Sequence, residues 1–148
     1  MFRQRSSTTA NISNITSNSG YRKEYEMQIE IAGRFPGLND IIDAAKKGKG
    51  KYQPYAIMKE QYTDIVAWTA KKLPKFNRVD IVITFYEKNN SRDPDNIAAG
   101  GTKMILDGLV KAGVIENDNR KHINSISHKF ETDRQNPRVE IEIREAEQ

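Results

Sequence analysis

The chain has 148 residues, a formal net charge of +4 and no cysteine. That length fits one domain, and the lack of cysteine excludes disulfides and thiolate metal sites. No apolar run approaches the ~20 residues that span a membrane, and the N-terminus lacks the apolar segment of a secretory signal, so we expect a cytoplasmic protein. The basic charge balance allows a polyanionic partner without requiring one.

The N-terminal third combines a polar tail, a strand and a basic loop. Residues 1–20 are rich in Ser, Thr and Asn and contain no acidic residue, so they are predicted to be a disordered tail. The folded domain is then expected over residues 21–148. From Tyr25 to Ile31, apolar and polar residues alternate with the period of a strand that has one buried face. "KKGKGKYQP", Lys46 to Pro54, predicts a flexible basic loop.

A helix and a central strand are predicted next. Apolar residues recur at helical spacing from Met58 to Leu73, which predicts a helix over about residues 55–72. We interpret Tyr62 and Trp68 as core residues rather than as aromatic groups that stack on bases. "RVDIVITFYEK" is largely apolar on both faces, so it predicts a strand at the centre of a sheet.

The C-terminal half is predicted to hold a second helix and two strands. The helix is "TKMILDGLVKAGV", with Thr102 as its N-cap and with Gly100 and Gly101 in the loop that precedes it. Residues 121–130 predict a weaker strand and "RVEIEIRE" a clear one. The order β-α-β-α-β-β predicts an α+β fold, a small four-stranded mixed sheet with its helices packed on one side.

The stretch "RDPDN" is the strongest candidate for a functional site. Asp93 and Asp95 flank Pro94 directly after the predicted central strand. Residues two apart in an extended segment point the same way, and two close carboxylates repel unless a cation lies between them. Mg²⁺ commonly takes one or two carboxylates from a protein, so the pair is a candidate metal site, with an ordinary turn as the alternative. An EF-hand is excluded because Ala98 and Met104 stand where its Gly and Glu are required.

Other charged residues extend this candidate site. Asp118 or Glu116, in the acidic turn "IENDNRK", could complete the metal site. Lys103, predicted in the first turn of the second helix, is unfavourably placed against the helix dipole, which makes more sense if a phosphate docks nearby. Four lysines of the basic loop could hold a phosphate backbone: Lys46, Lys47, Lys49 and Lys51. For each of these residues, a solvated surface position is the alternative.

These motifs together resemble the RusA family of Holliday junction resolvases. The family pattern is D-x-D-N, a nearby lysine, a helix close to D-A-L-x-x-A-G, and an acidic turn. "RDPDN" followed by "K…ILDGLVKAGVIEND" matches it, ending at Asp118. The resemblance covers about residues 22–145 and takes in "PGLND", which is similar to the family's Pro–Asn turn. One departure is that "IAAGGT" separates D-x-D-N from Lys103, where the family lysine follows more closely.

The resemblance implies a homodimeric, Mg²⁺-dependent endonuclease that cuts symmetric strands of a four-way DNA junction in recombination and repair. It implies that Asp93, Asp95 and Asp118 are the catalytic carboxylates and bind Mg²⁺, with Mn²⁺ as an alternative metal. Lys103 matches the essential lysine. Arg92 and the four loop lysines are expected to contact DNA. Two alternatives stay open: an Mg²⁺-dependent nuclease that acts on flaps or other branched DNA, and a non-catalytic DNA-binding module of the same fold.

Overall fold

A computed structural model describes residues 11–15, 24–48 and 53–147. Five strands and three helices occur in this part of the chain. They are β1 (Asn11–Ile15), β2 (Glu24–Ala32), α1 (Leu38–Lys46), α2 (Pro54–Thr69), β3 (Val79–Glu87), α3 (Pro94–Lys111), β4 (Ile123–Thr132) and β5 (Arg138–Glu145).

The strands form one mixed sheet in the order β1-β2-β5-β3-β4. β3 and β4 run parallel, joined by α3 as the crossover helix, and every other pair is antiparallel. The α+β class predicted from the sequence is confirmed, and the four predicted strands lie side by side as β2-β5-β3-β4. β3 has a neighbour on each side, as predicted for a central strand.

The hydrophobic core lies between one face of this sheet and the helices. Alternate residues of β3 are fully buried, whereas those between them are only half-buried. The buried face of the strands and the inner faces of the helices share one apolar cluster. Its largest fully buried side chains include Ile29, Ile81, Ile83, Phe85, Met104, Ile105, Leu109, Ile141 and Ile143. The apolar residues that alternate along the strands and those that recur every three to four residues along the helices point into the same core, as the sequence patterns predicted.

The strand β1 lies where the sequence predicted only a disordered tail. It pairs antiparallel with β2 along residues 24–28 and forms one edge of the sheet. An edge strand can be held by backbone hydrogen bonds to a single neighbour, so it does not need an alternating apolar pattern to form. The rest of that predicted tail lies outside the described residues.

The helix α3 differs from its prediction in where it begins. It starts at Pro94 rather than near Thr102, so Gly100 and Gly101 lie inside the helix and not in a loop. A Cβ atom on Gly100 would lie 2.0 Å from the carbonyl oxygen of Pro36. The glycine therefore lets the backbone of the Pro36 turn approach the helix directly, which offsets the low helix propensity of the residue.

The helix α1 follows that turn and was not predicted. Gly37 is its N-cap, and the Gly37 N–H donates a 2.8 Å hydrogen bond to Oδ2 of Asp40. Ala44 is buried, and Ile41 packs partly buried against the core. The helix is short and packs against α3, and a helix of this length gains most of its stability from such packing.

Candidate functional site

The two aspartates of "RDPDN" stand at the N-terminus of α3. Asp93 is the N-cap residue with extended backbone (φ −76°, ψ 151°), Pro94 occupies the first helical position, and Asp95 lies in the first turn. Proline suits that position because its fixed φ matches the helix and its missing N–H is not needed there. The prediction that Asp93 and Asp95 share an extended segment is therefore wrong, since the helix begins between them.

Both carboxylates are exposed, and within the described part of the chain neither has a hydrogen bond or an ion pair. The Asp93 side chain makes no capping hydrogen bond either. The positive end of the helix dipole stabilises negative charge at this place, by about 0.3–1 kcal/mol for an exposed group. That stabilisation accounts for the presence of acids here, and it leaves their oxygens free to bind a cation from solution.

Arg92 connects the end of β3 to this helix start. Its side chain is only 10% exposed, and Nε donates a 2.6 Å hydrogen bond to Oε1 of Glu87, which is 8% exposed. Nη1 donates a 2.9 Å hydrogen bond to the carbonyl oxygen of Phe35 and lies 3.8 Å from Asp40. The prediction that Arg92 contacts DNA does not fit this placement, because its guanidinium is buried against groups of its own chain.

Asn96 joins the starts of α1 and α3. The Asn39 N–H donates a 2.9 Å hydrogen bond to Oδ1 of Asn96. A Cβ atom on Gly37 would lie 2.7 Å from the same oxygen, so the two helix starts are in close contact. The predicted Pro–Asn turn thus lies directly beside the acidic pair and fixes the first turn of α3, which carries Asp95.

Lys103 and Asp118 meet further along α3. The ammonium of Lys103 donates a 2.9 Å hydrogen bond to Oδ2 of Asp118 and lies 3.0 Å from Oδ1 of Asp107. The hydrogen bond from Lys103 is the main cause that lowers the pKa of the Asp118 carboxyl below its ordinary value. Asp118 and then Asp107 raise the pKa of Lys103. Lys103 and Asp118 therefore hold each other in their ionised forms.

Asp107 and Lys59 belong to this cluster, and sequence reasoning gave neither a site role. Lys59 of α2 lies 3.5 Å from Oδ2 of Asp107, so two lysines face two aspartates. The four-residue spacing from Lys103 to Asp107 is the signal that places them on one helix face. The contact with Lys59 crosses between helices and has no local sequence signal.

The two groups lie apart along α3. Lys103 follows Asp95 by eight residues, which is about 12 Å along the helix axis at 1.5 Å per residue. The expectation that Lys103 lies in the first turn of its helix is wrong, because α3 begins nine residues before it. Asp118 is bound to Lys103 and so lies with it, at a distance from the acidic pair. Across the described ranges, no three His, Cys, Asp or Glu residues come close enough to hold a metal ion.

The remaining predicted residues lie elsewhere. Glu116 is exposed and lies 3.9 Å from Nε2 of the buried His122, outside the Lys103 cluster. Asn117 shapes the acidic turn, because its Oδ1 accepts a 2.7 Å hydrogen bond from the Asp118 N–H. Lys46 and Lys47, at the end of α1, are exposed as predicted. Two further lysines of the basic loop lie outside the described residues: Lys49 and Lys51.

The acidic pair fits a divalent cation of the hard, oxygen-binding class. Mg²⁺ is often held by one or two carboxylates and completes its shell with water and substrate phosphate oxygens. Asp93 and Asp95 offer two exposed carboxylates with no competing partner among the described side chains. Asp118 does not add to that set here, because Lys103 holds its Oδ2 oxygen.

No family model matches this sequence, and a search of the curated proteins also finds no match. Over the stretches that the structure describes, none of the helices is both long and apolar enough to cross a membrane.

Proposed function

We propose that this chain is a Mg²⁺-dependent endonuclease that cuts branched DNA and resolves four-way junctions by paired, symmetric cleavage. The observation that carries the proposal is the exposed pair Asp93 and Asp95 at the start of α3, directly after the interior strand β3. Two unpaired carboxylates on a rigid helix start are suited to a metal ion that a DNA phosphate also contacts. The sequence resemblance to the RusA resolvases supplies the substrate class.

The residues take distinct roles in this proposal. Asp93 and Asp95 bind the metal, whose chemistry when bound is to activate water and to neutralise charge on the scissile phosphate. Asp118 lies apart from that pair, and Lys103 keeps its carboxylate ionised and holds it in place. Arg92 and Asn96 hold the helix start on which the acidic pair lies. Mn²⁺ is expected to replace Mg²⁺, since both accept oxygen ligands.

Charge neutralisation tests the metal site. Asp93→Asn and Asp95→Asn should each abolish Mg²⁺-dependent cleavage of a synthetic four-way junction, whereas Asp118→Asn, at a carboxylate outside the acidic pair, should reduce it less. Binding of the junction in chelator should persist or tighten, since each change removes a negative charge that faces phosphate. Asp43→Asn is the matched control, because it removes the same charge from an exposed position on α1 and should leave cleavage intact.

The substrates in that assay separate the alternatives. Four-way junctions, flaps and plain duplexes should be compared, each with Mg²⁺ and with chelator. Preferential cleavage of flaps would identify a different branched-DNA nuclease. Binding without cleavage of any substrate would identify a non-catalytic DNA-binding module, for which the separation of Asp118 from the acidic pair gives a structural reason. Full activity in all three variants, or cleavage in excess chelator, would refute the proposed metal site.

A two-fold homodimer and the basic loop belong to the same proposal. Paired cuts in a junction need two active sites, which one C2 axis supplies. Replacing Lys46, Lys47, Lys49 and Lys51 with alanine should weaken junction binding and flatten its salt dependence, because fewer counterions are released. An unchanged salt slope would show that the loop does not touch DNA. Sedimentation of a monomer at the assay concentration would refute the dimer.

A further inference from the structure

Trp68, the only tryptophan of the chain, lies on the surface of α2 near its C-terminus. Its side chain is 67% exposed. Tryptophan is on average among the more buried residues, since its ring removes a large apolar area from water. The sequence interpretation of Trp68 as a core residue is therefore wrong, and its exposed ring needs another explanation.

The helix itself turns Trp68 away from the core. Val66 is completely buried, and two residues correspond to a rotation of about 200° around the axis at 3.6 residues per turn. Tyr62 lies on the inner side and packs on Phe35 with ring centroids 5.2 Å apart, as expected of a core residue. Nothing in the packing of α2 thus requires an aromatic residue at position 68.

The surroundings of Trp68 are basic. Nζ of Lys71 lies 4.8 Å from the centre of the ring, a cation–π contact. Lys72 follows directly in the chain and is exposed. Among the described residues, neither lysine forms an ion pair with a carboxylate. A flat aromatic group beside such cations is complementary to a stacked base with its phosphates.

The nearest acid on the same helix face does not cancel this charge. Asp64 precedes Trp68 by one helical turn, but it is hydrogen-bonded to Lys111 of α3. That contact and the one between Lys59 and Asp107 show that α2 and α3 run side by side in the same direction. Trp68 follows Lys59 by nine residues, which is about 180° around the helix axis, so its surface is separate from the side of α2 that faces the charged cluster of Lys103.

We propose that Trp68 stacks on an exposed base of the DNA, with Lys71 and Lys72 holding the adjacent phosphates. This inference deepens the proposed function and rests on it only for the identity of the substrate. Stacking on an aromatic face accepts every base, whereas a base stacked inside a duplex has no free face. The surface would therefore recognise a base whose stacking is interrupted at a branch point rather than a sequence.

The intrinsic fluorescence of Trp68 tests this directly, because no other tryptophan contributes. In chelator, which prevents cleavage, a short oligo(dT) strand should quench the fluorescence, and a blunt duplex of the same length should quench it little. Trp68→Ala should weaken oligo(dT) binding, measured by anisotropy of a labelled strand, about tenfold, the loss expected for one stacked base. Trp68→Phe should restore most of it. Ile57→Ala is the matched control, since Ile57 is 54% exposed on the same helix.

Each outcome decides between explanations. Binding of oligo(dT) without quenching, or with unchanged affinity in Trp68→Ala, would overturn the proposal. A fluorescence change that depends on protein concentration alone would also overturn it, because the ring would then contact a second copy of the chain. Quenching by oligo(dT) together with no cleavage of any branched DNA would support the stacking surface while refuting the proposed nuclease.

Discussion

Gly100→Ala is the most informative single substitution for the architecture of the candidate site. A Cβ atom at this position would lie 2.0 Å from the Pro36 carbonyl oxygen and 2.7 Å from the carbonyl carbon of Gly37. These neighbours are backbone atoms, so no side-chain rotation can relieve the clash. The turn at Pro36 would have to move away from α3, and the hydrogen bond from Asn39 to Asn96 would be lost with it.

The expected magnitude is a balance of two opposing terms. Alanine is a better helix former than glycine by about 1 kcal/mol in a helix interior. Overpacking a tight contact costs about 1–3 kcal/mol, and a clash with backbone belongs at the upper end of that range. The net expectation is a destabilisation of about 2 kcal/mol, which lowers the melting temperature of a domain of this size by about 6 °C.

Thermal unfolding followed by circular dichroism measures this change. Ala99→Gly is the matched control, because Ala99 is exposed on the same helix and its substitution should cost only the propensity term of about 1 kcal/mol. Without the contact to Pro36, Gly100→Ala would stabilise the protein, as alanine does at an unconstrained helix position. A melting temperature equal to or above that of the wild type would therefore refute the close contact between the turn and α3.

Two further predictions concern groups around the site. Arg92→Met should destabilise the protein by about 3 kcal/mol in urea unfolding, because it leaves Glu87 buried without its partner. The control Arg144→Met removes an exposed partner of Asp80 and should cost under about 1 kcal/mol. Equal losses in the two variants would refute the buried pair. Desolvation lowers the pKa of His128, so below about pH 6.5 the unfolded chain binds a proton that the folded chain does not. The protein should therefore lose stability as the pH is lowered from 7.5 to 5. His128→Gln should remove part of that pH dependence of the melting temperature.

Local sequence determined four of the five described strands and the helix α2. Alternation in β2 and β5 and the two apolar faces of β3 each follow from which residues must leave water, and the structure confirms them. The stripe from Met58 to Leu73 likewise predicted α2 within a few residues of its bounds. Such patterns repeat over several residues of one segment, so a short stretch contains the whole signal.

For the candidate site, local sequence determined the residue types and their order but not their distances. The D-P-D-N motif and the acidic turn identified Asp93, Asp95 and Asp118 as candidates. The contact of Lys103 with Asp118 joins residues 15 apart, and that of Lys59 with Asp107 joins two helices. The packing of α2 on α3 brings Lys59 to Asp107, and the length of α3 decides which of its turns faces the acidic turn that holds Asp118.

Tertiary structure alone decided where the sequence patterns were misleading. Gly100 and Gly101 favour a loop by propensity, yet both lie within α3. At position 100 only a residue without a Cβ admits the backbone of the Pro36 turn, and Gly101 lies against the Phe85 ring. Arg92 is of a residue type that often contacts DNA, but its ion pair with the buried carboxylate of Glu87 keeps the guanidinium buried. Trp68 is of a residue type that is usually buried, but the burial of Val66 fixes the rotation of α2 about its axis and leaves the Trp68 ring in solvent. In each case the deciding neighbour comes from a distant segment or from the orientation of a whole helix, because burial depends on what the fold packs against a residue as well as on its own chemistry.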